Sequence, residues 1–300
     1  MKSAGICLGA TTVTAVLLRN DSEVIEVIEH KEMAHEGDPK NCLISFLEST
    51  DWDYEKIAFT GRKFCEMVDL PKITEPEAVE HALEFVLKDK DIPEALVAAG
   101  GETIMVYLLD KNKRIRKVTT GNKCASGTGE FFLQQIKRMD LTINEAVEMA
   151  MQGEPYAVSG RCSVFCKSDC THALNKGVPI ENVAAGLCQM IASKMYELLS
   201  KEKLVDVMVV GGTSKNHAVM KYLKDQVNTL NVPKEAAYFE ALGAALWAKD
   251  NGTKKIIDFD SIFVDAKTSF TFLEPLKNYE QMVVFKESNR ITVNDGDECI

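Results

Sequence analysis

Two cysteines stand where a thiolate could do chemistry. Cys124 lies in Gly121-Asn122-Lys123-Cys124-Ala125-Ser126-Gly127-Thr128-Gly129, a small-residue loop ahead of an amphipathic run with helical spacing. Cys162 lies in Gly160-Arg161-Cys162-Ser163-Val164-Phe165, again just ahead of a helical pattern. Helix N-termini carry free N–H groups and the positive end of the dipole, so they stabilise negative charge. Two thiolates so placed suit an anionic iron–sulfur cluster. A [4Fe–4S] cluster normally takes four thiolates, so one chain supplies half a set. The simplest completion is a symmetric dimer sharing one cluster on its two-fold axis.

A second set of residues could bind phosphate. Gly9-Ala10-Thr11-Thr12, Gly100-Gly101 and Gly211-Gly212 each follow a short apolar run that reads as a strand. Any one of them is more simply a turn where backbones pack closely. Together, three glycine turns at strand ends can surround a phosphate and face it with backbone N–H groups. Glu102 is the acid beside the second turn. It is a candidate general base, with a solvated turn glutamate as the plainer reading.

The elements that must hold these residues follow from the apolar pattern. Strands are expected at Ala4–Leu8, Val13–Leu18, Val24–Ile28, Lys56–Thr60, Ala95–Ala99, Ile104–Leu109, Ile115–Val118 and Val207–Val210. Helices are expected from Pro39 to Glu48, Glu75 to Lys88, after Gly129, Thr142 to Met151, Ser163 to Asn175, Ile180 to Ser200, Asn216 to Leu230 and Glu240 to Asp250. Thr142 with Glu145 forms a capping-box pattern, and Pro76 sits in the first turn of its helix. The expected first lobe spans residues 4–118 and the second 119–250, with the helix 240–250 free to return to the first. Residues 251–300 read as an irregular extension or linker.

The chain of 300 residues has room for about two domains, and its 27% charged and 46% hydrophobic residues fit a globular protein. A formal net charge of -10 opposes broad binding to nucleic acid or anionic membrane, and no apolar run reaches the length of a membrane span. Nine cysteines with no signal-like leader fit a reducing cytoplasm better than a disulfide framework. Cys42, Cys65 and Cys188 lie among apolar neighbours and read as core. Cys162, Cys166 and Cys170 share one helix face. Packing is the favoured role for the last two over extra cluster ligation or a zinc site. His30, His35, His81 and His217 show no partner pattern and read as surface residues.

Taken together, these motifs resemble the BadF/BadG/BcrA/BcrD ATPases of the actin–Hsp70–sugar kinase superfamily. The closer likeness is to activators, the reductase components, of 2-hydroxyacyl-CoA dehydratases. It rests on Asn122 to Gly129, on Cys162-Ser163-Val164-Phe165, on Val209-Val210-Gly211-Gly212-Thr213-Ser214-Lys215-Asn216 and on Ala241-Leu242-Gly243-Ala244-Ala245, and covers residues 4 to 250. The resemblance implies a two-lobed α/β fold of ribonuclease H-like type with nucleotide, ATP or ADP, between the lobes. Gly9, Ala10, Thr11, Thr12, Gly100, Gly101, Gly211, Gly212, Thr213 and Asn216 would then bind it. It implies a [4Fe–4S] cluster held by Cys124 and Cys162 of each of two copies. It also implies an ATP-driven, low-potential electron for a partner dehydratase or reductase.

The chain departs from that family at the acids. The first turn is expected to read Asp-x-Gly-Ser-Thr-x-x-Lys, and here it is Cys7-Leu8-Gly9-Ala10-Thr11-Thr12-Val13-Thr14. The second is expected to read Asp-x-Gly-Gly-Gln-Asp, and here it is Ala98-Ala99-Gly100-Gly101-Glu102-Thr103. Mg²⁺ wants oxygen ligands, so weak or absent ATP hydrolysis by this chain alone is expected. Two readings stay open: a working activator, or a non-hydrolysing half of a tandem activator that supplies cluster ligands and an interface. Phe272 to Tyr279 and Asp295 to Ile300 resemble the connector of long tandem members. A small-molecule kinase is disfavoured, because phosphoryl transfer needs the same metal and a base.

Overall fold

Among the described residues, nine strands pair into two sheets, and the break between them sets the architecture. In the computed structural model, residues 1–21, 24–62, 64–88, 90–121, 127–254, 262–264 and 281–282 are described. Residues 1–264 form one compact unit, and residues 265–300 a second, of which only 281 and 282 are described. The expectations for the C-terminal extension therefore lie largely outside the described residues, as does Cys124.

The first sheet is built from β1 (Lys2–Leu8), β2 (Thr12–Asn20), β3 (Ile25–Ala34) and β4 (Lys56–Gly61), in the order β3-β2-β1-β4. β1 runs antiparallel to β2 and parallel to β4. The second contains β5 (Ala95–Ala99), β6 (Ile104–Leu109), β7 (Ile115–Thr120), β8 (Asp206–Val210) and β9 (Thr229–Asn231), in the order β7-β6-β5-β8-β9. β3 continues to Ala34, beyond the expected Ile28, because its alternating polar residues suit an edge strand with one solvated face. β5 pairs with β8 and carries β6 and β7 in the same sheet, so sheet pairing divides the strands between Gly61 and Ala95, whereas the expected boundary at 118/119 cuts β7. Linear order suggested that boundary. A parallel partner more than a hundred residues away, β8, decided the pairing.

Helices α1 (Pro39–Ser49), α2 (Glu75–Leu87), α3 (Gly129–Arg138), α4 (Ile143–Gln152), α5 (Ser163–Asn175), α6 (Ile180–Ser200), α7 (His217–Lys224) and α8 (Phe239–Asn251) cover the sheets. Thr142 and Glu145 form the capping box at α4, and Pro76 lies in the first turn of α2. The helix expected to reach Leu230 stops at Lys224, and Thr229–Asn231 joins the sheet beside β8. Three cores result. One packs the outer face of the first sheet under α1. Another packs α3 to α7 on the second sheet. The third, containing Val16, Leu83, Tyr107, Val210 and Phe239, lies between the two sheets.

The small-residue stretch Ala241 to Ala245 acts here by steric fit. A Cβ on Gly5 would stand 2.1 Å from the Ala245 nitrogen, and one on Gly243 would stand 1.8 Å from the Ala78 carbonyl oxygen. Gly5 and Gly243 thus let α8 seat against both β1 and α2, so this last helix belongs with the first sheet.

Candidate functional site

The three glycine turns converge on one cleft between the sheets, with an internal volume of about 120 Å³. Gly9, Ala10, Thr11, Thr12, Gly100, Gly101, Glu102, Gly211 and Gly212 all line it. The Gly9 N–H closes the first turn on the Thr12 carbonyl at 2.9 Å, and the Gly100 N–H closes the second on the Thr103 carbonyl at 3.1 Å. The two turns touch. A Cβ on Gly101 would stand 2.8 Å from Thr11 Cγ2. Gly211 adopts φ +91°, a left-handed conformation that only glycine takes without strain, and its N–H donates to the Ala236 carbonyl at 2.7 Å. Thr213 stands behind this lining and offers its hydroxyl to the Gly100 carbonyl at 3.5 Å. Asn216 does not line the cleft. It is buried, accepts the Val219 N–H at 3.1 Å to cap α7, and contacts the Cys188 sulfur.

A partly buried polar group lines the cleft floor. The Arg62 guanidinium grips Glu75 with two bonds, Nε to Oε2 at 2.6 Å and Nη2 to Oε1 at 3.0 Å, and its Nη1 donates to Thr103 Oγ1. Arg62 follows β4 while Thr103 joins β5 to β6, so this side chain ties the two sheets together across the cleft. Tyr107 donates to Glu75 Oε1 at 3.4 Å. Glu240, at the start of α8, lines the same floor beside Cys7. Burial, then the negative charge of Glu75, push the Glu240 carboxyl up to about 7. Burial, then Glu240 and Glu75, push the Cys7 thiol well above its usual range, so Cys7 is a neutral thiol where an aspartate was expected. At the cleft mouth Lys215 Nζ pairs with Glu32 Oε2, a second link between the sheets.

Sequence reasoning missed Arg62, Glu75 and Glu240 as cleft residues. Their helical or turn positions carried no motif, and only the packing of α2 and α8 turns them inward. His35 corrects another expectation. It is buried, with Nε2 3.3 Å from the Gly9 carbonyl and Nδ1 accepting the Gly37 N–H at 3.1 Å, so it braces the first turn from behind.

The cleft is wired to the cysteine motif. The Gly129 N–H donates to the Gly100 carbonyl at 3.2 Å, and the Glu130 N–H to the Gly101 carbonyl at 2.9 Å. These are free donors of the first turn of α3, the helix that follows the loop containing Cys124. Cys162 is the N-cap of α5, half-buried, with no side-chain capping bond. Asp169 accepts the Ser159 N–H at 2.8 Å and so pins the segment leading into it. Cys166 and Cys170 are buried in the core under α5, and Cys166 holds the Cys170 thiol below its usual range through a hydrogen bond. Among the described residues, no group of three or more His, Cys, Asp or Glu side chains is arranged to hold a metal ion. Val164 and Phe165, next to Cys162, are 69% and 64% exposed.

The sequence matches the BadF/BadG/BcrA/BcrD ATPase family over residues 4–248. The chain belongs to this family. It is 25% identical over 257 residues to the 2-hydroxyisocaproyl-CoA dehydratase activator of Clostridioides difficile, covering 83% of this chain and 96% of that protein. It is 24% identical over 258 residues to the (R)-2-hydroxyglutaryl-CoA dehydratase activating ATPase of Acidaminococcus fermentans, covering 83% and 98%. The solved activator of the Clostridium difficile 2-hydroxyisocaproyl-CoA dehydratase, with bound ADPNP, superposes with a TM-score of 0.72 at 22% identity over 96% of this chain and all of that one. The chain therefore has the two-lobed α/β fold expected of the actin–Hsp70–sugar kinase class. No helix among the described residues is long and apolar enough to cross a membrane.

Proposed function

We propose that this chain is a nucleotide-dependent activator that delivers a low-potential electron to a 2-hydroxyacyl-CoA dehydratase or a related reductase. The observation that carries the reading is the pair of hydrogen bonds from the start of α3 to the carbonyls of Gly100 and Gly101. A polyphosphate seated on the glycine turns would pull directly on the helix behind Cys124. ATP or ADP is the ligand that this cleft and the named relatives favour. The N–H groups of Gly9, Gly100 and Gly211 are already bonded to carbonyls of the chain, so the other backbone N–H groups of the three turns would hold its phosphates.

The Cys162 thiol fits a cluster ligand. It is partly exposed at the start of α5 and makes no side-chain capping bond, which leaves its sulfur open to an iron ion. Cys162 with Cys124 would hold half of a [4Fe–4S] cluster, and a second copy, in a homodimer or a tandem chain, would hold the other half. When bound, the cluster supplies one-electron carriage at low potential. The exposed Val164 and Phe165 give the neighbourhood of Cys162 an apolar rim suited to that second copy.

Glu102 stays the candidate base on the cleft wall, exposed beside the second turn. Cys7 and Ala98 supply no oxygen for Mg²⁺, and this is the observation behind the second reading, a non-hydrolysing half of a tandem activator that supplies cluster ligands and an interface. Iron and acid-labile sulfide per chain, measured with solution mass on protein purified without oxygen, test the proposal. About two irons per chain in a dimer, lost in Cys124→Ser and Cys162→Ser, support it. No iron after reconstitution, in a monomer, refutes it.

A further inference from the structure

The cleft floor carries more negative charge than its cations answer. Glu75 has Arg62, and Glu32 has Lys215. Glu240 has no salt bridge and no side-chain hydrogen bond to another described residue, and it lies on the floor with all three phosphate turns around the same cleft. The groups facing it from the elements packed on α8 are few. They are the neutral thiol of Cys7 on β1, the Glu75 carboxylate on α2, the Arg62 guanidinium after β4, and the phenol of Tyr107 on β6. On β2 the cleft residues are Thr12 and Thr14, which do not ionise, and Tyr238, just before α8, is held neutral by burial. Arg62 is committed to Glu75 with good bidentate geometry, so its charge is largely spent there.

We propose that Glu240 is a proton-operated selector of this cleft: its neutral carboxyl admits an anionic polyphosphate, and its ionised carboxylate repels one. The proposal rests on the nucleotide-binding reading and adds a specific residue and a sign to it. A bound polyphosphate brings negative charge to a carboxyl that already faces Glu75, and so must favour the protonated form. Binding then takes up a proton at Glu240, and affinity falls as pH rises through neutrality. A divalent cation seated on Glu240 would have the opposite effect, since it favours the carboxylate.

Isothermal titration of the intact chain with ADP, without Mg²⁺, from pH 6 to 8.5 decides it, run beside Glu240→Gln. In the wild type, affinity should weaken by up to about tenfold per pH unit above neutrality, beyond the slope that ADP's own titration imposes. Glu240→Gln, a fixed neutral side chain, should lose that extra slope and bind about tenfold or more tightly than wild type at pH 8.5. Repeating the wild-type titration in buffers of different ionisation enthalpy should count the added proton, which serves if the variant does not fold. Equal slopes in both proteins with no added proton would overturn the proposal while leaving nucleotide binding intact. Affinity that rises with pH would overturn it in favour of a cation. No ADP binding at any pH would remove this proposal and the nucleotide reading together.

Discussion

The backbone N–H of Glu130 donates to the carbonyl of Gly101 at 2.9 Å, so the second glycine turn and the helix behind the cysteine loop share one hydrogen-bond network. A larger residue at Gly101 would displace Thr11, because a Cβ there meets Thr11 Cγ2 at 2.8 Å. Gly101→Val should therefore spread the first two turns and weaken ADP binding by about tenfold or more, with thermal stability lowered by about 1–3 kcal/mol. Calorimetric titration beside chemical denaturation reads both. Unchanged ADP affinity would mean that the two turns do not act on one ligand.

Arg62 bridges the sheets by holding Glu75 and reaching Thr103. Its side chain is 34% exposed and that of Glu75 only 14%, so Glu75 loses most when the pair is broken. Arg62→Ala should cost about 2–3 kcal/mol in urea denaturation, since it leaves a mostly buried carboxylate unpaired. Arg62→Ala combined with Glu75→Gln should recover part of that loss. A single variant as stable as wild type would show that the bridge is weak in solution.

Stability should depend on pH through Glu240. Its folded carboxyl titrates near about 7 against an ordinary 4.5, so between these values the folded chain keeps a proton that the unfolded chain has released. Unfolding free energy therefore falls as pH rises across that window and levels off above it. The change is on the order of 3 kcal/mol. Glu240→Gln should remove this slope and be more stable than wild type at pH 8. Parallel stability curves for the two proteins would contradict it.

The cysteines of α5 should separate by role. Cys162→Ser should abolish iron incorporation with little change in stability, because its thiol is half-exposed and caps nothing. Cys166→Ser should keep the iron and lose about 1–3 kcal/mol, because it places a hydroxyl in the core where Cys166 is fully buried. Iron analysis and denaturation on the same preparations distinguish them. Loss of iron in both would move Cys166 from packing to ligation.

Hydrolysis of Mg-ATP by the wild type should be slow or undetectable, and Cys7→Asp with Ala98→Asp should raise it. Burial, then Glu240 and Glu75, raise an acid at the Cys7 position, so an aspartate there would need the cation to hold it ionised. The gain should accordingly vanish when Mg²⁺ is removed. A phosphate-release assay with and without Mg²⁺ settles the point, and brisk turnover by the wild type would overturn it.

The sequence by itself determined most strands and helices, because apolar periodicity and capping residues act locally, as Thr142 and Glu145 do at α4, but it read β9 as the end of a helix. It also marked the three glycine turns, whose residue types are set by backbone geometry within a few positions. It did not show that β5, β6 and β7 belong with β8, because that pairing joins residues more than a hundred positions apart. Nor could it place Glu75, Arg62 and Glu240 on one cleft floor, or bury His35 behind the first turn. Those side chains have ordinary local patterns. Their surroundings exist only once α2 and α8 pack through Gly243 and Ala78, and that close fit is a property of the tertiary structure alone.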